Sequence, residues 1–443
     1  MASPLCSLKT RPVSVNTSVS EAAANTVIGG VSAWVITGRS ATAIAVSINS
    51  HSSLGKEVIE RLMNVAIVAL RILGAFHDGA GRAVMISRRQ AMVAGAVAGL
   101  MSLVDAADAS GARKAATSGK ASSPGKPPKV VKPARIVPGD TIGLMIPSSA
   151  NWDPIDVDIL LEALAALGLK AKLGQHVFDR YGYLAGRDAD RAADLNALFR
   201  DPEVKAIHCI RGGWGAARLL PLLDWEMIAR NPKILIGYSD ITALLLSLHA
   251  RTGLVTFHGP NGASEWNRTN VEWLQRVAWR GEAVTFENPR DTTDTIVPSN
   301  RRTRTLTAGK VQGRLLGGNL TVLTAILGSP YVPDFTDSIL FLEDVQEAPY
   351  RLDRMLVQLK LAGILDQLKG FVWGTCSQCT PGEGFGSLTI PDILNDHIKP
   401  LGIPAYYGAM FGHIGKQFTL PVGVEVELDA EAGTMRMLES AVS

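Results

Sequence analysis

From Arg135 onward the chain alternates short apolar, β-branched runs with longer stretches in which apolar positions recur every three or four residues. The first pattern is that of buried strands, the second that of helices packed on one face. In order they predict a strand over Thr141 to Ile146, a helix near Ile155 to Leu167 and a strand over Lys170 to Leu173. A helix near Ala189 to Phe199, a strand over Ala206 to Ile210 and a strand over Ile234 to Ile236 with its own helix follow. Such alternation implies an α/β domain with a parallel sheet, of the flavodoxin or Rossmann-like kind, whose ligands sit beyond the carboxyl ends of the strands. Arg211-Gly212-Gly213-Trp214-Gly215 and Gly237-Tyr238-Ser239-Asp240 follow strands directly and belong on that rim. Their glycines fit either plain turns or a close approach to a ligand, and no phosphate-loop ending is present.

After Asn261 the pattern loosens, and an Arg- and Thr-rich connector spans 290–305. A second, β-rich mixed domain is expected over 306–443, with a strand Ile339 to Glu343, a helix Tyr350 to Leu361 and a strand around Lys369 to Trp373. The α/β domain is expected over 135–289. Upstream the character differs. Residues 1–84 show no sustained amphipathic period and are expected to be unstructured or a non-native extension. Residues 85–109 read as a twin-arginine signal: Arg88-Arg89, an apolar run Met92 to Val104, then Ala107-Asp108-Ala109. That places the expected start of translation at or near Met85 and the mature protein in the periplasm. A membrane anchor through 92–104 is the alternative, although the run is short for a span. Residues 110–134, rich in Lys and Pro, form a solvated linker.

Composition narrows the function classes only slightly. A net charge of +3 over 443 residues gives no nucleic-acid footprint. Cys376-Ser377-Gln378-Cys379 lacks the second pair or the histidine that structural zinc requires, so loop cysteines, disulfide-linked after export, are the simpler reading.

Ser239 stands where a strand gives way to a helix. A hydroxyl there is more often an N-cap, and it also fits a nucleophile beside unpaired backbone N–H groups. A serine nucleophile needs a base, usually a histidine held by a carboxylate. Of His176, His208, His249, His258, His397 and His413, the last sits in a glycine-flanked loop that can reach across a cleft. A loop histidine without a role fits as well. Glu343 closes an apolar strand, so its charge faces either a polar site or solvent.

Ordered short motifs extend through this part of the chain: Pro138-Gly139-Asp140, Tyr183-Leu184-Ala185-Gly186, Arg211-Gly212-Gly213-Trp214-Gly215 and Gly237-Tyr238-Ser239-Asp240-Ile241-Thr242. His258-Gly259-Pro260, Gly317-Gly318-Asn319-Leu320, Leu342-Glu343-Asp344-Val345, the segment Pro349 to Leu356 and Gly412-His413 continue the series. On these the chain from about Arg135 to its end resembles the LD-carboxypeptidases, or muramoyltetrapeptide carboxypeptidases, a serine peptidase family that includes microcin C self-immunity proteins. The resemblance implies Ser239 as nucleophile, Glu343 as orienting carboxylate and His413 as base, with backbone N–H groups of Gly213 and Asp240 as the oxyanion hole. Glu347, in the same acidic loop, is the rival glutamate. Trp214 stands where the family commonly has tyrosine. The reaction implied is release of D-alanine from murein tetrapeptides, with no metal or cofactor, and a homodimer is common in the family. Arg211, Arg314 and Arg351 are candidates for the substrate carboxylate, each with a surface or structural ion pair as alternative. Trp214 and Asn319 complete the substrate-contact candidates. Two other readings stand beside this one: a microcin C immunity-type peptidase, using Trp214 or Trp266 as a platform for a base, and a non-catalytic murein-binding protein.

Overall fold

The computed structural model describes residues 25–28, 31–37, 42–48, 129–290, 296–297, 300–380 and 386–443. The signal-like segment 85–109, the alternative anchor 92–104 and nearly all of the linker lie outside them. No helix among the described residues is long and apolar enough to cross a membrane. The chain divides into two compact units, Met1–Gly119 and Lys120–Ser443. In the first, within the stretch to which the sequence pattern assigns no fold, strands β1 (Asn25–Ile28), β2 (Val31–Thr37) and β3 (Thr42–Ile48) form an antiparallel meander. Their Val-, Ile- and Thr-rich sequences suit extended structure.

The second unit holds two sheets. The first contains β4 (Thr141–Met145), β5 (Lys170–Leu173), β6 (Val204–Cys209), β7 (Ile234–Gly237) and β8 (Thr256–His258), all parallel, in the order β8-β7-β6-β4-β5. Renumbered from β4 this is the 2-1-3-4-5 order of the flavodoxin-like fold. Helices α1 (Ile155–Ala166), α2 (Asp188–Arg200), α3 (Trp225–Arg230) and α4 (Thr242–Thr252) connect or flank the strands. Helix α4 is buried on every side from Thr242 to His249, which explains why Ala-Leu-Leu-Leu-Ser-Leu shows no polar face. The second sheet begins in chain order with the short β9 (Thr285–Phe286), which forms one of its edges. It adds β10 (Arg304–Thr307), β11 (Lys310–Asn319), β12 (Ser338–Val345), β13 (Gly370–Ser377) and β14 (Ala405–Tyr407), with α5 (Arg268–Leu274) preceding β9. Helices α6 (Leu320–Ile326), α7 (Pro349–Leu361) and α8 (Ile390–His397) lie between these strands. With β9, β16 (Glu425–Asp429) and β17 (Thr434–Met437) these strands make an eight-stranded mixed sheet, parallel from β11 to β14 and antiparallel at both flanks.

The two sheets are stitched together by the chain itself. β15 (Leu420–Val422) leaves the second domain and pairs antiparallel with β8 of the first sheet. Helix α4 meets the second sheet from the other direction, where Thr242 Oγ1 accepts the Asn319 N–H at 2.9 Å. Gly318 must be glycine here, because a Cβ would overlap the Thr242 side chain. The first turn of α4 and the carboxyl ends of β11 and β12 are therefore locked against each other.

Candidate active site

Three backbone features build the site. β7 ends at Gly237, where a Cβ would press on Asn261 and Ile241, and the chain turns sharply into a 3₁₀ turn over Ser239–Ile241. Ser239 itself takes φ 65°, the left-handed region that L-residues normally avoid. In that conformation its hydroxyl makes no capping bond to the helix. The N-cap alternative is thus not what the side chain does; the hydroxyl points instead at His413 Nε2, 2.9 Å away.

His413 sits between Gly412 and Ile414 in the loop leading toward β15. Its Nδ1 lies 2.8 Å from Glu343 Oε2. A fully buried carboxylate there accepts the Nδ1 proton, leaving Nε2 as the acceptor for the serine hydroxyl. Ser377 Oγ donates to the His413 carbonyl at 2.6 Å, and the Tyr238 ring packs 4.8 Å from the imidazole, so the histidine is held from two further sides. Residues 377 and 376 belong to the C-x-x-C turn, which is closed as a Cys376–Cys379 disulfide.

Glu343 is positioned as firmly. Its other oxygen accepts from Asn319 Nδ2 at 3.2 Å, the residue directly opposite it in the β11–β12 ladder. Asn319 also donates to Asp344 Oδ1 at 3.1 Å and accepts from Val322 N at 3.0 Å as the N-cap of α6. Burial, with Glu343 alongside, pushes the Asp344 carboxyl up to about 6 even though Thr321 and Val345 donate to it. Glu347, the rival glutamate, bonds Thr321 Oγ1 at 3.3 Å and faces Arg351, and it makes no contact with His413.

Opposite the imidazole is the glycine rim after β6. A Cβ on Gly212 would stand 3.0 Å from Ser239 Cβ, and one on Gly213, at φ 113°, would collide with Ser149 Oγ. Ser149 Oγ accepts the Trp214 N–H at 3.1 Å. Among the described residues the N–H groups of Gly213 and Asp240 have no intramolecular acceptor. The Asp240 carboxylate is directed away, buried against Ser148 Oγ at 2.6 Å and Ala216 N at 2.7 Å; burial pushes its pKa up while these donors oppose the shift. Buried Arg191 completes this brace by donating to the Pro147 and Gly215 carbonyls.

The remaining candidates separate. Arg211 stays on the rim but spends Nη1 on the Ala150 carbonyl at 3.0 Å. Trp214 is on the same rim, 47% exposed. Asn319 is buried behind Glu343, with its side-chain amide bonded to that carboxylate. Arg314 lies five residues back along β11, about 16 Å from Asn319 at strand rise, and bonds the Asp334 carbonyl. Arg351 pairs with Glu347 and Tyr350 on the first turn of α7. The other histidines lie away from the Ser239 hydroxyl, and among them the buried ring nitrogens of His258 have no partner among the described residues. His208 and His249 bond carbonyls in the core, and burial lowers each to about 4. His397 pairs with Asp353, and His258 is buried between Tyr238, Phe341 and Phe411. One group among the described residues could gather around a cation, His176 and Asp179 in the loop after β5 with Asp190 in the first turn of α2, and it is unconnected to the triad.

A flavodoxin-like sheet ending in a serine with left-handed backbone, with an imidazole and a buried carboxylate brought to its hydroxyl from the region of the second sheet, is an arrangement suited to a serine-type hydrolase. Residues 142–259 match the LD-carboxypeptidase N-terminal domain and residues 312–428 the LD-carboxypeptidase C-terminal domain. The chain belongs to this family of serine carboxypeptidases. It is 38% identical over 313 residues to a probable murein peptide carboxypeptidase of Bacillus subtilis, covering 70% of this chain and 95% of that protein. It is 33% identical over 299 residues to the murein tetrapeptide carboxypeptidase of Pseudomonas aeruginosa, covering 65% and 92%. A solved structure of the microcin C7 self-immunity protein MccF with aspartyl sulfamoyl adenosine is similar at a TM-score of 0.64 and 28% identity, covering 71% of this chain and all of that one.

Proposed function

We propose that this enzyme hydrolyses the bond between an L-centre diamino acid and the terminal D-alanine of murein tetrapeptides. Ser239 Oγ attacks the carbonyl while His413 Nε2 takes its proton. The imidazolium so formed is stabilised by Glu343 and returns the proton to the leaving amine of D-alanine. The oxyanion rests between the N–H groups of Gly213 and Asp240, which have no competing acceptor. A water then attacks the acyl-enzyme with His413 again as base, freeing Ser239. The observation that carries the reading is the continuous Ser239–His413–Glu343 hydrogen-bond chain in a protein 38% identical to a probable murein peptide carboxypeptidase. Incubating residues 110–443 with tetrapeptide should release D-alanine, and Ser239→Ala should lower turnover by roughly 10⁶. No release by the wild type, or equal release by the variant, defeats the assignment.

A second reading, cleavage of aminoacyl-nucleotide antibiotics, is favoured by one observation. The exposed Trp214 ring stands on the rim in a protein similar to MccF bound to an aminoacyl sulfamoyl nucleoside. Export through the twin-arginine-like segment 85–109 to the periplasm, followed by the linker 110–134, favours murein. The nucleophile then belongs to a domain over 135–289, and Glu343 and His413 to one over 306–443, acting as a homodimer. N-terminal sequencing of the mature product and sedimentation test these parts; a product retaining residues 1–84, or a monomer at working concentration, removes them.

A further inference from the structure

We infer that Lys416 and Arg301 hold the terminal carboxylate of the substrate, in a cavity on the leaving-group side of His413. The inference rests on the carboxypeptidase reading above. A cavity of about 440 Å³ opens beside the loop that follows His413. Ile414, Gly415 and Lys416 form one wall, and Glu265, Asn288 and Arg301 contribute to the others. The chemistry sets which part of a substrate faces it. The imidazole that takes the serine proton must hand it to the departing nitrogen, so the departing amino acid lies against His413 rather than against Gly213. Its carboxylate is one carbon beyond that nitrogen. Lys416 follows His413 by three residues, within about 10 Å of chain, and its stem adds further reach.

The walls are built by buried amides whose hydrogen bonds are spent on the backbone of the charged residues. Asn270 Nδ2 holds the carbonyls of Glu265 and Gly415 at 2.8 and 3.0 Å, and its Oδ1 takes the Gln417 N–H at 2.9 Å, so Lys416 is clamped on both sides. Asn267 adds a second bond to the Gly415 carbonyl at 2.6 Å. Across the cavity Asn288 Nδ2 holds the Arg301 carbonyl at 2.7 Å and the Gly408 carbonyl at 2.8 Å. The charged heads themselves are unspent: among the described residues neither Lys416 nor Arg301 has an ion-pair partner. Arg211, Arg314 and Arg351 differ in this respect, each bonded to a carbonyl or to a neighbouring side chain. Arg301 and Lys416 against Glu265 leave the lining with one net positive charge, which suits one carboxylate.

The test uses Ser239→Ala protein, which separates binding from turnover, and two ligands: a murein tetrapeptide as free acid and as its C-terminal carboxamide. By calorimetry the acid should bind at least about 10-fold more tightly than the amide, as expected of charge-assisted hydrogen bonds. Adding Lys416→Ala or Arg301→Ala should remove most of that ratio, and Lys416→Arg should restore much of it. In otherwise wild-type enzyme the alanine variants should act on KM for the acid rather than on kcat. Equal binding of acid and amide, or a ratio that survives both alanine substitutions, overturns the inference. Release of D-alanine by the wild type judges the reaction separately: a binding ratio without release removes the proposed reaction and leaves the carboxylate pocket standing.

Discussion

Replacing Glu343 by glutamine changes one buried oxygen to an NH₂ group and nothing in volume, yet the surroundings dictate which way the new amide points. Asn319 Nδ2 donates to Glu343 Oε1, and Asn319 cannot rotate to oblige, because its oxygen caps α6 through Val322 N and its amide also serves Asp344. The glutamine oxygen must therefore face Asn319, and its NH₂ must face His413 Nδ1. An imidazole that accepts at Nδ1 carries its proton on Nε2, where it can no longer receive one from Ser239. Loss of the correct tautomer in comparable triads costs about 10⁴ in kcat, or about 5.4 kcal/mol at 1.36 kcal/mol per decade. The stability cost should be small beside this, since every donor keeps a partner. Steady-state release of D-alanine measures kcat, and nitrogen NMR of the imidazole reports the tautomer. Removing the pin should partly rescue the enzyme: in Glu343→Gln with Asn319→Ala the amide is free to turn, and kcat should rise at least about 10-fold over the single variant. A single variant within 10-fold of wild type, or one that retains the Nδ1 proton, would refute this account of the site.

Three further outcomes follow from the same geometry. Gly213→Ala should lower kcat by about 10²–10³, because the new methyl collides with Ser149 Oγ at φ 113° and displaces an N–H placed to face the oxyanion; turnover with unchanged KM is the readout. Ser239→Gly should abolish turnover while raising stability by about 1 kcal/mol, because glycine relieves the left-handed strain at φ 65°; a lowered denaturation midpoint would contradict it. His208, His249 and His258 are held near 4 by burial against an ordinary value of 6.5. Between those values the unfolded chain binds the protons that the folded chain refuses, so stability should fall as pH drops from about 6.5 to about 4, by about 3 kcal/mol per histidine. Urea titrations across that window check the slope, and His258→Leu should reduce it by about one third.

What the amino-acid order determines here is local. β-Branched runs and three- to four-residue periods specify the strands from Thr141 to β7 and helices α1, α2 and α4 to within about two residues, since each depends on neighbours a few positions away, whereas the short α3 (Trp225–Arg230) carries too few turns to show a period. The strand-to-helix turn at Ser239 is legible for the same reason, and the ordered motifs name the three chemical groups. Tertiary structure decided the rest. Whether the Ser239 hydroxyl caps a helix or meets a base depends on its backbone dihedral and on a partner 174 residues away. The choice of Glu343 over Glu347 depends on which carboxylate the β11–β12 ladder turns toward His413, 70 residues further on. Asn319 and the arginines show the limit most clearly. An amide or a guanidinium looks the same in sequence whether it is spent on a buried carboxylate, spent on a backbone carbonyl or left unpaired in a cavity. Only packing fixes which, because desolvation makes each buried polar group take whatever partner the fold puts beside it.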